Sequence, residues 1–149
     1  MKRHTGFLPW LLAFSLLAGT FFSSCKKYED GPVISFKSPE ARATNNWQAE
    51  LISRNEIDVT RNYEYMHMDL KSGGEFVWTA KLIDDAQDST FNGTWEMATL
   101  DQQIKVDYID PVSFEPRLLY FDIRKLKSDQ MWLDYIWKGN KYALRLIPR

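Results

Sequence analysis

The chain has 149 residues, of which 44% are hydrophobic and 26% are charged, a composition typical of a folded globular protein. Once an N-terminal processing signal is set aside, this length corresponds to one domain, which disfavours a two-domain enzyme. The formal net charge is −1, so the chain lacks the basic excess that neutralises a phosphate backbone, and no nucleic-acid partner is predicted. The single cysteine excludes an intramolecular disulfide.

The first 24 residues have the pattern of a secretory signal peptide. A basic start over residues 1–4 precedes a mostly apolar run over residues 7–22, which is short for a membrane span. Cys25 follows two serines, and small residues before a cysteine at this place resemble a lipobox, in which the cysteine is acylated and becomes the mature N-terminus. We therefore expect lipidation at Cys25. Several acyl chains anchor a protein stably, so the membrane is the expected partner through this lipid anchor.

Residues 25–38 are predicted to be a lipidated tether, followed by one domain over residues 39–149. Several stretches of this region carry a family resemblance: Cys25 to Pro32 (CKKYEDGP), Ile34-Ser35-Phe36, Ala41-Arg42-Ala43, Trp47 and Gly93-Thr94-Trp95. Together they resemble a family of Bacteroidota lipoproteins with a lipocalin-like domain. The resemblance implies a lipid-anchored protein of the outer membrane. Lys27, Glu29 and Asp30 resemble the signal that exports such lipoproteins to the outer leaflet, so the protein is expected either at the cell surface or facing the periplasm.

Alternating apolar and polar residues predict seven β-strands from residue 62 onward, and residues 47–53 predict an eighth at the start. A three-residue loop over residues 72–74 would place Leu70 opposite Phe76. Ser38 and Pro39 predict one short helix. The expected fold is therefore all-β: a single up-and-down antiparallel meander closing into a lipocalin-like barrel of about eight strands.

The last hairpin predicts a register that can be tested. Residues 139–140 are predicted to form a two-residue Gly-Asn loop, which would place Trp137 opposite Tyr142. In the same register Asp134 would lie opposite Arg145 on the outer face and form an exposed salt bridge.

Several large aromatic residues occupy the alternating strand positions that are predicted to face the interior of the barrel. A barrel of eight strands is just wide enough to be filled by side chains or to hold one small ligand, and residues of this size favour a filled core over an apolar pocket. If a pocket is present, the candidate ligand-binding residues are Trp78, Trp95, Tyr108, Tyr135, Trp137 and Tyr142.

The outer face of the last strands carries a second apolar group, which is the candidate interface: Leu118, Tyr120, Trp132, Ile136 and Ile147. Contiguous exposed apolar patches usually mark interfaces. The favoured covering is the N-terminal segment, through Val33, Ile34 and Phe36. The alternatives are a second copy of the protein or another envelope protein.

Catalysis is not predicted. His67 is the one histidine after the signal. The alternation places it, with Tyr63 and Tyr65, on the side of its strand that faces outward, which indicates a surface imidazole rather than part of a catalytic triad. No cofactor and no metal are expected. The sequence thus favours a binding or interaction module, with a small apolar ligand or an envelope protein as partner. A solid-core assembly subunit and a small glycan-acting enzyme using two carboxylates are the alternatives.

Overall fold

The structure, a computed structural model, describes residues 36–149, so Cys25, Lys27, Glu29 and Asp30 lie outside the described residues. One helix, one 3₁₀ turn and nine strands make up this part of the chain. They are α1 (Pro39–Ala43), β1 (Asn45–Arg54), β2 (Ile57–Asp58), the 3₁₀ turn (Thr60–Asn62), β3 (Tyr63–Leu70), β4 (Glu75–Leu82), β5 (Ser89–Ala98), β6 (Gln103–Ile109), β7 (Pro116–Leu126), β8 (Met131–Trp137) and β9 (Asn140–Pro148).

The strands form an antiparallel barrel in which each long strand pairs with its neighbours in the chain. Strand β1 pairs with β3 on one side and with β9 on the other, and this second pairing closes the barrel at eight strands. The two-residue strand β2 is extra and pairs with the end of β1. Closure leaves none of the eight strands with an unpaired edge. The prediction of an all-β lipocalin-like barrel is confirmed.

Short loops set the register of the sheet. The predicted register of the first hairpin is confirmed, since Leu70 lies opposite Phe76. The last hairpin turns one residue earlier than predicted, which shifts the strand pairing by two residues: Trp137 lies opposite Asn140 rather than Tyr142, and the loop residues Lys138 and Gly139 both have positive φ, at 47° and 76°. Two consecutive residues of positive φ are characteristic of a type I′ turn.

A contact between the two ends of the barrel sheet explains this shift. Asn55, in the loop after β1, donates from Nδ2 to Asn140 Oδ1 at 2.9 Å and accepts from the backbone N–H of Lys141 at 2.9 Å. These bonds hold Asn140 in the strand rather than in the turn. A shift of two residues preserves the inward face, so the inward set is unchanged although its pairing differs.

The shifted register overturns the predicted pairing of Asp134 with Arg145. Asp134 lies opposite Ala143, and its carboxylate contacts Arg124 Nε at 3.1 Å and Lys141 Nζ at 3.4 Å. The predicted salt bridge is therefore wrong, because Arg145 lies two residues away from the position opposite Asp134. The predicted register also places Trp132 opposite Ile147 and Ile136 opposite Ala143. Both pairings are wrong for the same reason, since Trp132 lies opposite Arg145 and Ile136 opposite Lys141.

The short helix α1 closes one end of the barrel. Ser38 caps it by accepting from the Ala41 N–H at 3.1 Å, and Pro39 occupies the first turn, as predicted. Arg42 is buried and donates to the Leu126 carbonyl at 2.9 Å, while the Trp47 indole N–H donates to the Ala43 carbonyl at 2.8 Å. These two bonds fix the helix to β7 and β1, so the end of the barrel at which β1 begins is covered.

Candidate functional site

The other half of the barrel holds a cavity of about 200 Å³. It extends to the ends of β3 and β4 that lie farthest from α1, where Tyr63 and Leu82 line it. It opens at this end, where Tyr63, Trp137 and Tyr142 are partly exposed. The lining residues are Tyr63, Met66, Phe76, Trp78, Ala80, Leu82, Ser89, Phe91, Val106, Tyr108, Leu119, Tyr135, Trp137 and Tyr142.

The expectation of a filled interior is thus correct for one half of the barrel and wrong for the other. Near α1 the large side chains of Trp47, Met68 and Leu70 are fully buried and fill the space. Towards the open end the wall consists of aromatic rings, several of which meet edge to face, and the cavity lies between them.

Trp78 lies at the centre of these rings. Its ring centroid is 5.7 Å from that of Phe121 and 5.6 Å from that of Tyr135, both in edge-to-face geometry, and 5.9 Å from that of Phe91. Such pairs contribute roughly 0.5–1.5 kcal/mol each beyond area burial. The network therefore stabilises the packing of the rings that form the wall.

Tyr108 extends the aromatic wall on the opposite side. It meets Phe91 edge to face at 5.6 Å between centroids and lies 6.4 Å from Trp137. Gly93 lies opposite Tyr108 on the neighbouring strand and adds no side chain to the interior. A Cβ at Gly93 would come within 2.1 Å of the Asp107 carbonyl oxygen, so only glycine permits this approach of β5 to β6.

Two hydrogen-bond donors of the wall are buried without partners in the described part of the chain, the indole Nε1 of Trp78 and the hydroxyl of Tyr108. The tryptophans near α1 differ in this respect, since Trp47 donates to Ala43 and Trp95 donates to the Lys71 carbonyl at 3.0 Å. A buried polar group without a partner costs roughly 1–3 kcal/mol. Both orphaned donors belong to residues that line the cavity.

Three tyrosines of the cavity, Tyr63, Tyr108 and Tyr135, are neutral at physiological pH. Burial raises the pKa of Tyr135 far above its ordinary value, and the nearby Tyr63 and Tyr142 raise it further. Burial also raises the pKa values of Tyr63 and Tyr108. Their hydroxyl groups therefore retain their protons and remain able to donate hydrogen bonds.

Five of the six candidate ligand-binding residues line this cavity, namely Trp78, Tyr108, Tyr135, Trp137 and Tyr142. The sixth, Trp95, does not, because it lies on the part of β5 nearer α1 and is occupied by its bond to Lys71. Tyr63 also lines the cavity, although the alternation of its strand predicts an outward position. A register shift between Tyr63 and Tyr65 turns Tyr63 to the opposite face of the sheet. The alternation of apolar and polar residues does not predict this shift.

The candidate interface does not form one patch. Leu118, Tyr120 and Ile136 are 50%, 44% and 70% exposed, and extension of the β7–β8 register places Tyr120 level with Ile136. Trp132 is only partly exposed, because Lys125 Nζ and Arg145 Cζ lie 4.1 Å and 4.6 Å from its ring centroid. Ile147 lies further along, opposite Gln48.

Phe36, from the segment expected to cover this face, is fully exposed and covers nothing. Val33 and Ile34 lie outside the described residues. The side chains that do cover Trp132 are cationic neighbours in its own sheet: Lys125 on β7, and Arg145, which the observed register places opposite Trp132 on β9.

His67 lies on the outer face of β3. Its ring stacks on Tyr65 with 4.9 Å between centroids, and its Nδ1 is 3.0 Å from Arg149 Nη1. Partial burial, with Arg149 nearby, lowers the pKa of the imidazole.

Within residues 36–149 no three His, Cys, Asp or Glu side chains are grouped so as to hold a metal ion. Over the same range, no helix has the length and apolar character needed to cross a membrane.

No protein-family model matches the chain, and no curated protein matches it. The barrel itself is compatible with a lipocalin-like binding module, and its cavity opens at the end opposite α1.

Proposed function

We propose that this protein is a non-catalytic binding module of the bacterial outer membrane, lipid-anchored through Cys25, whose barrel holds a small apolar ligand. The observation that carries the proposal is the cavity of about 200 Å³, which opens at the end of the barrel not covered by α1. Cavities lined by apolar and aromatic side chains with a few polar groups are the usual form of small-molecule sites.

The cavity differs from a packing defect in two respects. It lies at the open end of a barrel whose other end is filled and capped, and its wall carries polar groups that lack partners. Interiors pack at nearly crystalline density, so a space of this size beside two orphaned donors is costly unless something occupies it.

Ligand binding is tested by filling the cavity. Ala80 lines it, and an Ala80→Leu variant should reduce the space and weaken binding of small aromatic fragments measured by calorimetry. Ala143→Leu is the matched control, since Ala143 lies outward on β9, opposite Asp134. Binding that Ala80→Leu leaves unchanged would place the ligand outside the barrel and contradict the proposal.

The anchor is tested separately. Mass spectrometry of the protein from its native membrane should show a chain that begins at Cys25 and carries added acyl mass. A Cys25→Ala variant should not be acylated. Recovery of unmodified native protein from the soluble fraction would contradict the anchor while leaving the ligand site untouched.

A second candidate function, as a subunit that docks on another envelope protein, is favoured by one observation. The outward side chains Leu118, Tyr120 and Ile136 remain exposed at the surface of β7 and β8. A photo-crosslinking residue at position 136 should give a discrete adduct in cells if this face docks, and the same residue at position 94, also outward and exposed, is the control.

A further inference from the structure

The cavity wall carries no charged side chain. Its lining residues include no Asp, Glu, Lys, Arg or His. Arg54 lies opposite Tyr142 near the rim but is exposed and is not part of the lining. A charged ligand group placed inside would lose its hydration without gaining a partner, which is strongly unfavourable.

The surroundings of the opening disfavour anions in particular. Four connections border it, residues 55–62, 83–88, 110–115 and 138–139. Acidic side chains outnumber basic ones in the first three, the fourth carries Lys138, and the four together hold seven acidic and two basic side chains. Asp110, in the third of these connections, is close enough to Tyr108 to raise its pKa. An anion approaching this end meets net negative charge, so the site selects against carboxylates such as fatty acids.

Size and shape narrow the ligand further. An apolar cavity of about 150 Å³ holds benzene, and the cavity of this barrel is only moderately larger, at about 200 Å³. The walls are the rings of Trp78, Phe91, Tyr108, Tyr135 and Trp137, which offer edges and faces to a flat guest. Planar rings of one or two cycles fit this space better than a long flexible chain.

The two unpartnered groups of the wall indicate which polar group the ligand carries. Trp78 Nε1 is a donor only, and the neutral hydroxyl of Tyr108 is a donor as well as an acceptor. Both have already lost contact with water in the free protein, so a ligand acceptor that meets either one gains a hydrogen bond without a further desolvation cost. The two atoms are covered, so contact requires the ring to turn within the wall. Trp78 borders the empty space into which it would turn.

We infer that the ligand is a neutral, flat aromatic molecule of one or two rings that carries a hydrogen-bond acceptor such as a carbonyl group, held by Trp78 Nε1 or the Tyr108 hydroxyl. This inference rests on the proposed function and goes beyond it, since it specifies which small molecules the cavity accepts and which it rejects.

Three probes of similar size test separately the aromatic ring, the neutral acceptor and the absence of charge. Acetophenone has a ring and a neutral acceptor, ethylbenzene has the ring alone, and benzoate has a ring and a charge. Calorimetric titration of the full chain should rank acetophenone above ethylbenzene by about 5-fold, the worth of one net hydrogen bond. Benzoate should bind more weakly than both. Equal affinities for acetophenone and ethylbenzene, or tighter binding of benzoate, would overturn the inference while the proposed function stood. No binding by any probe would overturn both.

The donor is identified with variants. Tyr108→Phe and Trp78→Phe each keep a ring, and at least one should lower acetophenone affinity by about 5-fold and leave ethylbenzene affinity within 2-fold. Tyr120→Phe makes the same chemical change on the outer face and should alter neither. In the unmodified protein, acetophenone but not ethylbenzene should move the NMR signal of the Trp78 indole proton downfield if Trp78 is the donor. If neither variant discriminates between the probes and the indole proton does not respond, the hydrogen bond does not form and the inference is wrong.

Discussion

Tyr135 and Tyr142 lie directly opposite each other on β8 and β9, with their rings stacked 5.0 Å apart between centroids. This stack exists because the last hairpin turns at Lys138 and Gly139 rather than one residue later, at Gly139 and Asn140. It places two hydroxyl-bearing rings side by side at the open half of the barrel, where both line the cavity. The register of this hairpin thus determines which rings of the site are paired.

The buried tyrosine predicts how stability depends on pH. The pKa of Tyr135 is raised in the folded protein, so above about pH 10, the ordinary tyrosine pKa, the unfolded chain releases this proton first. Its contribution is fully present below that pH and is lost as the pH rises. The free energy of unfolding, measured by urea denaturation, should therefore fall above about pH 10. Tyr135→Phe should show a shallower fall, and an identical fall in both proteins would contradict the assignment.

Gly93 predicts a sensitive position in the wall. In a Gly93→Ala variant the Cβ would lie 2.1 Å from the Asp107 carbonyl oxygen, so β5 and β6 must separate. Overpacking of this kind costs about 1–3 kcal/mol. Thr94→Ala, at the next and outward-facing position, should change stability by no more than about 0.5 kcal/mol. Similar denaturation midpoints for the two variants would mean that the strands do not approach each other this closely.

The last hairpin predicts a stabilising substitution. Lys138 has φ of 47° in the first position of a type I′ turn, where asparagine before glycine is strongly preferred. Lys138→Asn should raise stability by roughly 0.5 kcal/mol, visible as a higher thermal midpoint. Asn140→Ala removes the bond to Asn55 and should lower stability by about 1 kcal/mol. If Lys138→Asn is destabilising, the turn is not at this position.

Much of the fold is predictable from sequence because closing a barrel requires strict alternation. The residues that alternate from Met66 to Leu146 point inward because a slip by one residue would expose the whole set. The loop after Leu70 fixes its own register through Gly73 and Gly74, which both have positive φ. These are local signals, and they suffice for the strands and the closure.

What the sequence does not predict depends on contacts between distant residues. The shift of the last hairpin follows from Asn55, 85 residues from Asn140 in the chain. The irregularity that turns Tyr63 inward has no mark in the alternation of β3. The cavity depends on how the aromatic rings pack against one another. The size of the rings, which is all that the sequence shows, predicts a filled interior.

The central claim is that a small molecule occupies the open half of the barrel, and the tryptophan indole protons report on it directly. Titration of the full chain with acetophenone, followed by two-dimensional ¹H–¹⁵N NMR, should shift the indole signals of Trp78 and Trp137 in a saturable way. The signals of Trp47 and Trp95 should stay in place, because their N–H groups are bonded to carbonyls outside the cavity. Shifts of equal size at all four, or none at Trp78 and Trp137, would contradict ligand binding in this cavity.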